Sequence, residues 1–370
     1  MTARAGVVRP RLGFLGVGWI GRERMRAIAR SEAAEITAVA DVDPAAAADA
    51  AGETGAVVVD AQAITSLEEL DGLVIATPSA LHAEQAIEAL EAGLSVFCQK
   101  PLGRSAVEVA AVVGAAGRAG QLLGVDLSYR HMSTTRRMRD LVLGGEIGDV
   151  YAADVAFHNA YGPDKPWFTD RVLSGGGCVI DLGTHLVDLV SWMLPDQQLR
   201  VVTSCLYHQG LRLLPGAEDV EDYGAAVIES SGGATIHLAC SWFRHVGHDV
   251  VIDVTFHGTA GAVRLQNVEG SFYDFTAHLL RGTRRELLAG PPDEWGGRAA
   301  VAWARELARP PHERPSTPAR EFMAVATIID QIYGIDQIYG IGQMHGFGEV
   351  HGIDDVYGLE QNRTGGVSGR

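Results

Sequence analysis

The stretch from Arg11 to Gly21, Arg-Leu-Gly-Phe-Leu followed by Gly-Val-Gly-Trp-Ile-Gly, constrains the fold more than any other part of the chain. Its apolar start reads as a strand, and the glycines fall as Gly-x-Gly-x-x-Gly ahead of a helical segment rich in Arg, Ala and Met. A second strand, Ile36 to Ala40, ends on Asp41, 20 residues beyond Gly21. This strand, turn, helix and strand order is that of a dinucleotide-binding α/β unit. In it Gly16 makes the tight turn, Gly18 lets the backbone approach a pyrophosphate, and Gly21 lets the helix pack closely on the strand. Trp19 and Ile20 complete the loop and are expected to contact the cofactor. Asp41 is placed to accept hydrogen bonds from ribose hydroxyls and to repel a 2'-phosphate. No arginine directly follows it, so NAD is expected rather than NADP.

The alternation continues with a helix over Ala45 to Ala51 and strands over Ala56 to Val59 and Asp71 to Ala76. Ser79 is expected to cap a helix that runs to Ala92, where Gly93 stops it. The strand Ser95 to Cys98 then delivers Gln99-Lys100-Pro101 at its carboxyl end. Ligands of such sheets bind beyond the carboxyl ends of the strands, so Thr77, Pro78, His82, Gln99 and Lys100 are expected on the cofactor side. After Gly148 the pattern changes to β-prone runs at Tyr151 to Phe157, Val201 to Tyr207, Tyr223 to Ser230, Ala234 to Phe243 and Val250 to His257. The fold class expected is α/β: a Rossmann doubly wound parallel sheet over 1–128, then an α+β substrate and oligomerisation domain with a mostly antiparallel sheet over 129–334. Residues 335–370 form an extension with a period of six, which accounts for the spacing of His345 and His351 without a metal.

Charge and cysteine usage exclude several partners. Thirty basic against 46 acidic residues give a formal charge of -16, which opposes nucleic-acid phosphates and anionic membrane surfaces. No apolar run is long enough to span a bilayer and Met1 to Pro10 carries no apolar leader, so a cytoplasmic protein is expected. Cys98, Cys178, Cys205 and Cys240 are widely spaced with no CxxC pair, and are read as reduced thiols.

The chemistry is expected from Ser174 to Asp188, where three glycines precede an apolar, helical run. On a helix Asp181 and His185 share one face, with Asp188 three residues further on. A carboxylate beside an imidazole holds its tautomer and raises its basicity, as a general base requires. Two other readings compete: a helix with an ordinary polar face, and a metal set of Cys178, Asp181, His185 and Asp188. The glycine run is taken to favour cofactor approach over metal. Trp167 is a candidate platform for a sugar ring. Glu218, Asp219, Glu221 and Asp222, if close to the cleft, would attract a cationic substrate.

Five motifs in order carry a family resemblance: Gly16 to Gly21, Thr77-Pro78-Ser79-Ala80-Leu81-His82, Gln99-Lys100-Pro101-Leu102, Tyr129-Arg130, and Gly175 to Asp188. The chain resembles the glucose-fructose oxidoreductase, inositol dehydrogenase and MocA family of NAD(P)-dependent oxidoreductases. The resemblance implies Lys100, Asp181 and His185 as the catalytic trio; Arg130 and Trp167 are expected beside them at the substrate. It also implies a sugar, cyclitol or aminosugar substrate and a homodimer or homotetramer formed through the second sheet. The family usually has Glu before this lysine; Gln99 removes a carboxylate that would help hold the ammonium. Three activities stay open: a dehydrogenase acting on a secondary alcohol, a hydrolase that keeps NAD bound and oxidises its glycoside transiently, and a non-enzymatic dinucleotide sensor.

Overall fold

The computed structural model describes residues 9–214 and 216–334. The period-six series lies outside the described residues. Two sheets organise the rest. In the first, β1 (Arg11–Leu15), β2 (Glu35–Ala40), β3 (Val57–Val58), β4 (Gly72–Ile75), β5 (Ser95–Cys98) and β6 (Leu123–Val125) run parallel in the order β3-β2-β1-β4-β5-β6. The crossovers are α1 (Trp19–Ser31), α2 (Pro44–Thr54), α3 (Ser79–Glu91) and α4 (Ala106–Ala119). Helices cover both faces, which is why β4 and β5 are buried along their whole length and read as unbroken apolar runs. The order reverses between β1 and β4, opening a crevice beyond their carboxyl ends. One capping expectation is corrected. Pro78 occupies the cap position, while Ser79 is the first helical residue and is buried with no side-chain cap bond.

The second sheet has nine strands: β7 (Val150–Asn159), β8 (Leu199–His208), β9 (Leu211–Leu213), β10 (Tyr223–Ser230), β11 (Thr235–Ser241), β12 (Val250–Gly258), β13 (Gly261–Asn267), β14 (Phe275–Arg281) and β15 (Arg284–Ala289). Their order is β15-β14-β13-β12-β7-β11-β10-β8-β9, antiparallel except where β7 pairs with β11. Strand β10 alternates half-buried and buried positions along its length, as one covered and one open sheet face demands. The covered face packs on α5 (Ser133–Leu143), α7 (Thr184–Met193) and α9 (Ala319–Ile332), with the one-turn α6 (Arg171–Ser174) leading into the glycine run.

The chain then returns to the first sheet. Trp303 and Leu307 of α8 (Arg298–Leu307) pack among Leu12, Phe14 and Val74. Two glycines make room for the indole: a Cβ on Gly124 or Gly72 would lie 2.7 or 2.9 Å from Trp303. Helix α9 has two apolar faces, with Phe322 in the first core and Val325, Ile328, Ile329 and Ile332 in the second. Helix α8 thus packs in the core of the first sheet, and α9 in the cores of both.

Candidate active site

At the first crevice the turn at Gly16 takes a φ of +88°, and a Cβ there would lie 2.6 Å from Ala76 O. Gly21 is as tight, since its Cβ would stand 2.2 Å from Gly16 O. Around Gly18, by contrast, a Cβ would meet nothing within 4 Å, so the backbone there opens on free space. Helix α1 begins beside that space with no side-chain cap and no acid in its first turn, an arrangement suited to a pyrophosphate. Trp19 is two-thirds exposed at the rim, and Ile20 is half-buried behind it. Asp41 accepts from Val17 N through Oδ2 at 2.7 Å and from Asp43 N through Oδ1 at 2.9 Å, which fixes its carboxylate beside the loop. These residues fit a dinucleotide.

His82 does not join them. It is 1% exposed, with its ring nitrogens 2.6 Å from Pro101 O and 2.7 Å from Thr77 O, so it pins together the loops that follow β4 and β5. The Thr77 hydroxyl donates to Gln85 Oε1 at 2.6 Å.

Across the crevice Lys100 Nζ donates to Asp181 Oδ1 at 2.6 Å and to Asp181 O at 2.9 Å. The other carboxylate oxygen, Oδ2, accepts from Trp242 Nε1 at 3.2 Å. Asp181 therefore holds Lys100 and not His185, a correction to the pairing expected from helical spacing. Asp181, in the π-helical turn Val179–Gly183 ahead of α7, has one carboxylate oxygen taken by Lys100 and the other by Trp242. His185, in the first turn of α7, has Nδ1 enclosed without a hydrogen-bond partner. Its ring lies 4.9 Å from that of Tyr129 and 6.4 Å from that of Phe157. Burial, reinforced by the Lys100 charge, pushes the imidazole down to about 3. The ring is neutral at ordinary pH.

Two family models cover this architecture: the oxidoreductase family NAD-binding Rossmann fold matches residues 10–127, and the GFO/IDH/MocA C-terminal domain matches residues 135–264. The chain belongs to the GFO/IDH/MocA family. A protein of Amycolatopsis mediterranei named for a UDP-kanosamine synthase oxidoreductase subunit is 31% identical over 281 residues, 72% of this chain and 75% of its own length. The 1,5-anhydro-D-fructose reductase of Ensifer adhaerens is 31% identical over 269 residues, 70% of this chain and 76% of its own. The crystal structure of GenD2 from gentamicin A biosynthesis, in complex with NAD, superimposes with a TM-score of 0.74 at 26% identity, covering 90% of this chain and 96% of that one.

Within this family frame several residues stand elsewhere than the sequence suggests. Gln99 does not face the ammonium. Its Nε2 donates to Asp126 Oδ2 at 2.6 Å, and Arg24 Nε reaches the same oxygen at 2.5 Å. Burial alone would raise the Asp126 carboxyl, but Arg24, with hydrogen bonds from Ser128 and Gln99, outweighs it and holds the group below the usual carboxylate range. An amide at position 99 is thus matched to a carboxylate just past the end of β6; a Glu there would face Asp126 charge to charge. Arg130 bridges Asp188 on α7, with Nε 2.9 Å from both carboxylate oxygens, and Glu321 on α9, so its guanidinium braces helices and is not a free substrate donor. Trp167 stacks on Phe168 at 3.8 Å, and Phe168 meets Trp242 edge-on, which links Trp167 to the residue that holds Asp181. Cys178, Asp181, His185 and Asp188 do not converge as a metal set: Asp181 pairs with Lys100, Asp188 with Arg130, and the Cys178 sulfur lies 4.0 Å from that of Cys240.

The glycine run and the acidic cluster are corrected together. A Cβ on Gly177 would lie 1.9 Å from Glu221 O, and one on Gly176 would lie 2.1 Å from the Tyr333 hydroxyl. These glycines admit protein groups, not cofactor. Glu221 is fully buried against them, so of the four acids this one cannot face a cationic substrate, while the half-buried Asp222 accepts from Gln209 N at 2.7 Å. Trp242, Asp126 and Arg24 were not marked by the sequence, since no local pattern connects residues 60 to 100 positions apart.

Proposed function

We propose that this chain oxidises a secondary alcohol of a sugar, cyclitol or aminosugar to the ketone with NAD, or catalyses the reverse reduction. The observation that carries it is one ammonium, Lys100, fixed by Asp181 in the same crevice as a neutral His185. The open space at Gly18, the uncapped start of α1 and the carboxylate of Asp41 would hold the dinucleotide. When bound, NAD supplies the hydride acceptor. The protein's own part is to move the proton. His185 takes the hydroxyl proton, and Lys100 donates a hydrogen bond to the same oxygen, which stabilises the negative charge that develops there. The relatives named for sugar and aminosugar reactions support the substrate class. The test is stoichiometry: with a substrate found by screening sugars, inositols and aminoglycosides, ketone and NADH should form one for one. Cleavage of a glycoside without net NADH would instead assign the hydrolase reading, and NAD binding without turnover the sensor.

The same proposal takes NAD over NADP. Asp41 stands where a 2'-phosphate would meet a carboxylate, and the nearby Arg22 has a guanidinium nitrogen donating to Ala46 O at 3.1 Å. Replacing Asp41 by Ser and Val42 by Arg should weaken NAD and improve NADP, read as the ratio of kcat/KM for the two cofactors. A wild-type preference for NADP would show that Asp41 does not select. We further propose that the open face of the second sheet, where Ala156, Ala225, Ala239, Thr203 and Val227 present small side chains, joins copies of the chain into a homodimer or homotetramer. Sedimentation equilibrium giving a monomer would remove that proposal.

A further inference from the structure

The first N–H groups of a helix have no partner within the helix and normally need a local cap. Here the helical segment that opens at Gly177 is served from a distance. Glu221 accepts from Gly177 N at 2.9 and 3.0 Å and from Val179 N at 3.0 Å through its carboxylate, and from Cys178 N at 3.1 Å through its carbonyl. The fourth donor, Ile180 N, reaches the Tyr333 hydroxyl at 3.1 Å, and that hydroxyl in turn donates to Glu221 Oε1 at 2.8 Å. The next amide, Asp181 N, bonds to Gly177 O at 3.1 Å. The neighbouring Asp222 O accepts from Trp242 N at 2.8 Å, and Trp242 is the donor to Asp181 Oδ2. One short segment therefore grips Asp181 twice, through the turn that carries it and through the indole that touches it.

We propose that Glu221 and Tyr333 are a positioning pair for the reaction: they set the turn that carries Asp181, and through Asp181 the place of the Lys100 ammonium. The inference rests on the roles given above to Lys100 and Asp181. A carboxylate with no exposed surface is costly to enclose unless its oxygens are hydrogen-bonded, and the donors that serve this one are Gly177 N and Val179 N of the catalytic turn and the Tyr333 hydroxyl. A distant cap makes the position of the turn depend on β10 and α9, which also frame the second core.

Tyr333→Phe removes one hydroxyl and keeps the ring, so it tests the pair with little change in packing. The variant should have a lower Tm, since Ile180 N and Glu221 each lose a buried partner, yet stay folded at the assay temperature, keep its Kd for NAD and KM for the alcohol within a few-fold, and lose about ten- to a hundredfold in kcat, the scale expected when a reacting group is displaced by a fraction of an ångström to one ångström. Glu221→Gln, which keeps an acceptor oxygen, should retain more kcat than Glu221→Ala. In a Lys100→Met background the Tyr333→Phe effect should vanish, because the pair acts through the ammonium. Wild-type kcat in Tyr333→Phe, or a loss matched by an equal loss of folded protein, overturns the proposal. If Lys100→Met itself turns over normally, the reading of the site fails instead, and the two failures are told apart.

Discussion

Replacing Lys100 by Met is expected to lower kcat about 10²- to 10³-fold, the usual effect of deleting one fixed donor to a developing oxyanion. The ammonium is less than one-fifth exposed and is tied to both the carboxylate and the carbonyl of Asp181, so it stands in place before the substrate arrives. Methionine matches the length of the side chain but neither donates nor carries charge. It also leaves Asp181 with Trp242 as its remaining side-chain partner, so Asp181→Asn should cost less than Lys100→Met, since it weakens the hold on the ammonium and keeps the ammonium itself. Turnover measured at saturating alcohol and NAD, with NAD affinity read separately, checks this. A kcat within twofold of wild type would remove Lys100 from the mechanism.

His185→Ala is expected to lower kcat about 10²- to 10⁴-fold while NAD binding survives. The pH dependence gives a second measure. Because burial and Lys100 push the imidazole down to about 3, its protonation should not produce an acid limb near the unperturbed histidine value of about 6.5, and wild-type oxidation should stay free of that limb well below it. The stability consequence has the same sign. Below about 6.5 the unfolded chain protonates this histidine while the folded chain does not until about 3, so stability is intact above that window and falls as pH drops through it. A limb near 6.5 that disappears in His185→Ala would mean that the ring is exposed to solvent in the working enzyme.

The first sheet was legible because its signals are local: glycine spacing, unbroken apolar strands and an acid at the end of β2. Lys100, Asp181 and His185 each stand out in the sequence, but the partner that Asp181 takes does not. Which partner the Asp181 carboxylate takes depends on Lys100, 81 positions away, and on Trp242, 61 positions away, and neither leaves a mark on residue spacing. Glu221 read as surface because Glu218, Asp219 and Asp222 surround it, whereas the chain turns it inward to meet Gly177. Strands β13 and β15 were not legible because Arg264 and Gln266 in the one, and Arg284, Arg285 and Glu286 in the other, break up their apolar residues, as strands with one open face permit.

The wedge formed by Trp303 has a consequence for how the chain is made. The ribosome releases the six strands of the first sheet early, yet the indole that fills the space over Gly72 and Gly124 is encoded much later. At synthesis rates of about 5–20 residues per second, the nascent first sheet waits on the order of ten seconds or more with part of its apolar face uncovered. Translation speed and chaperone access during that interval, more than the final fold, should govern the yield of soluble protein. Chains arrested before Trp303 are expected to be cut by protease within the first sheet; protection there would show that the sheet closes without its wedge.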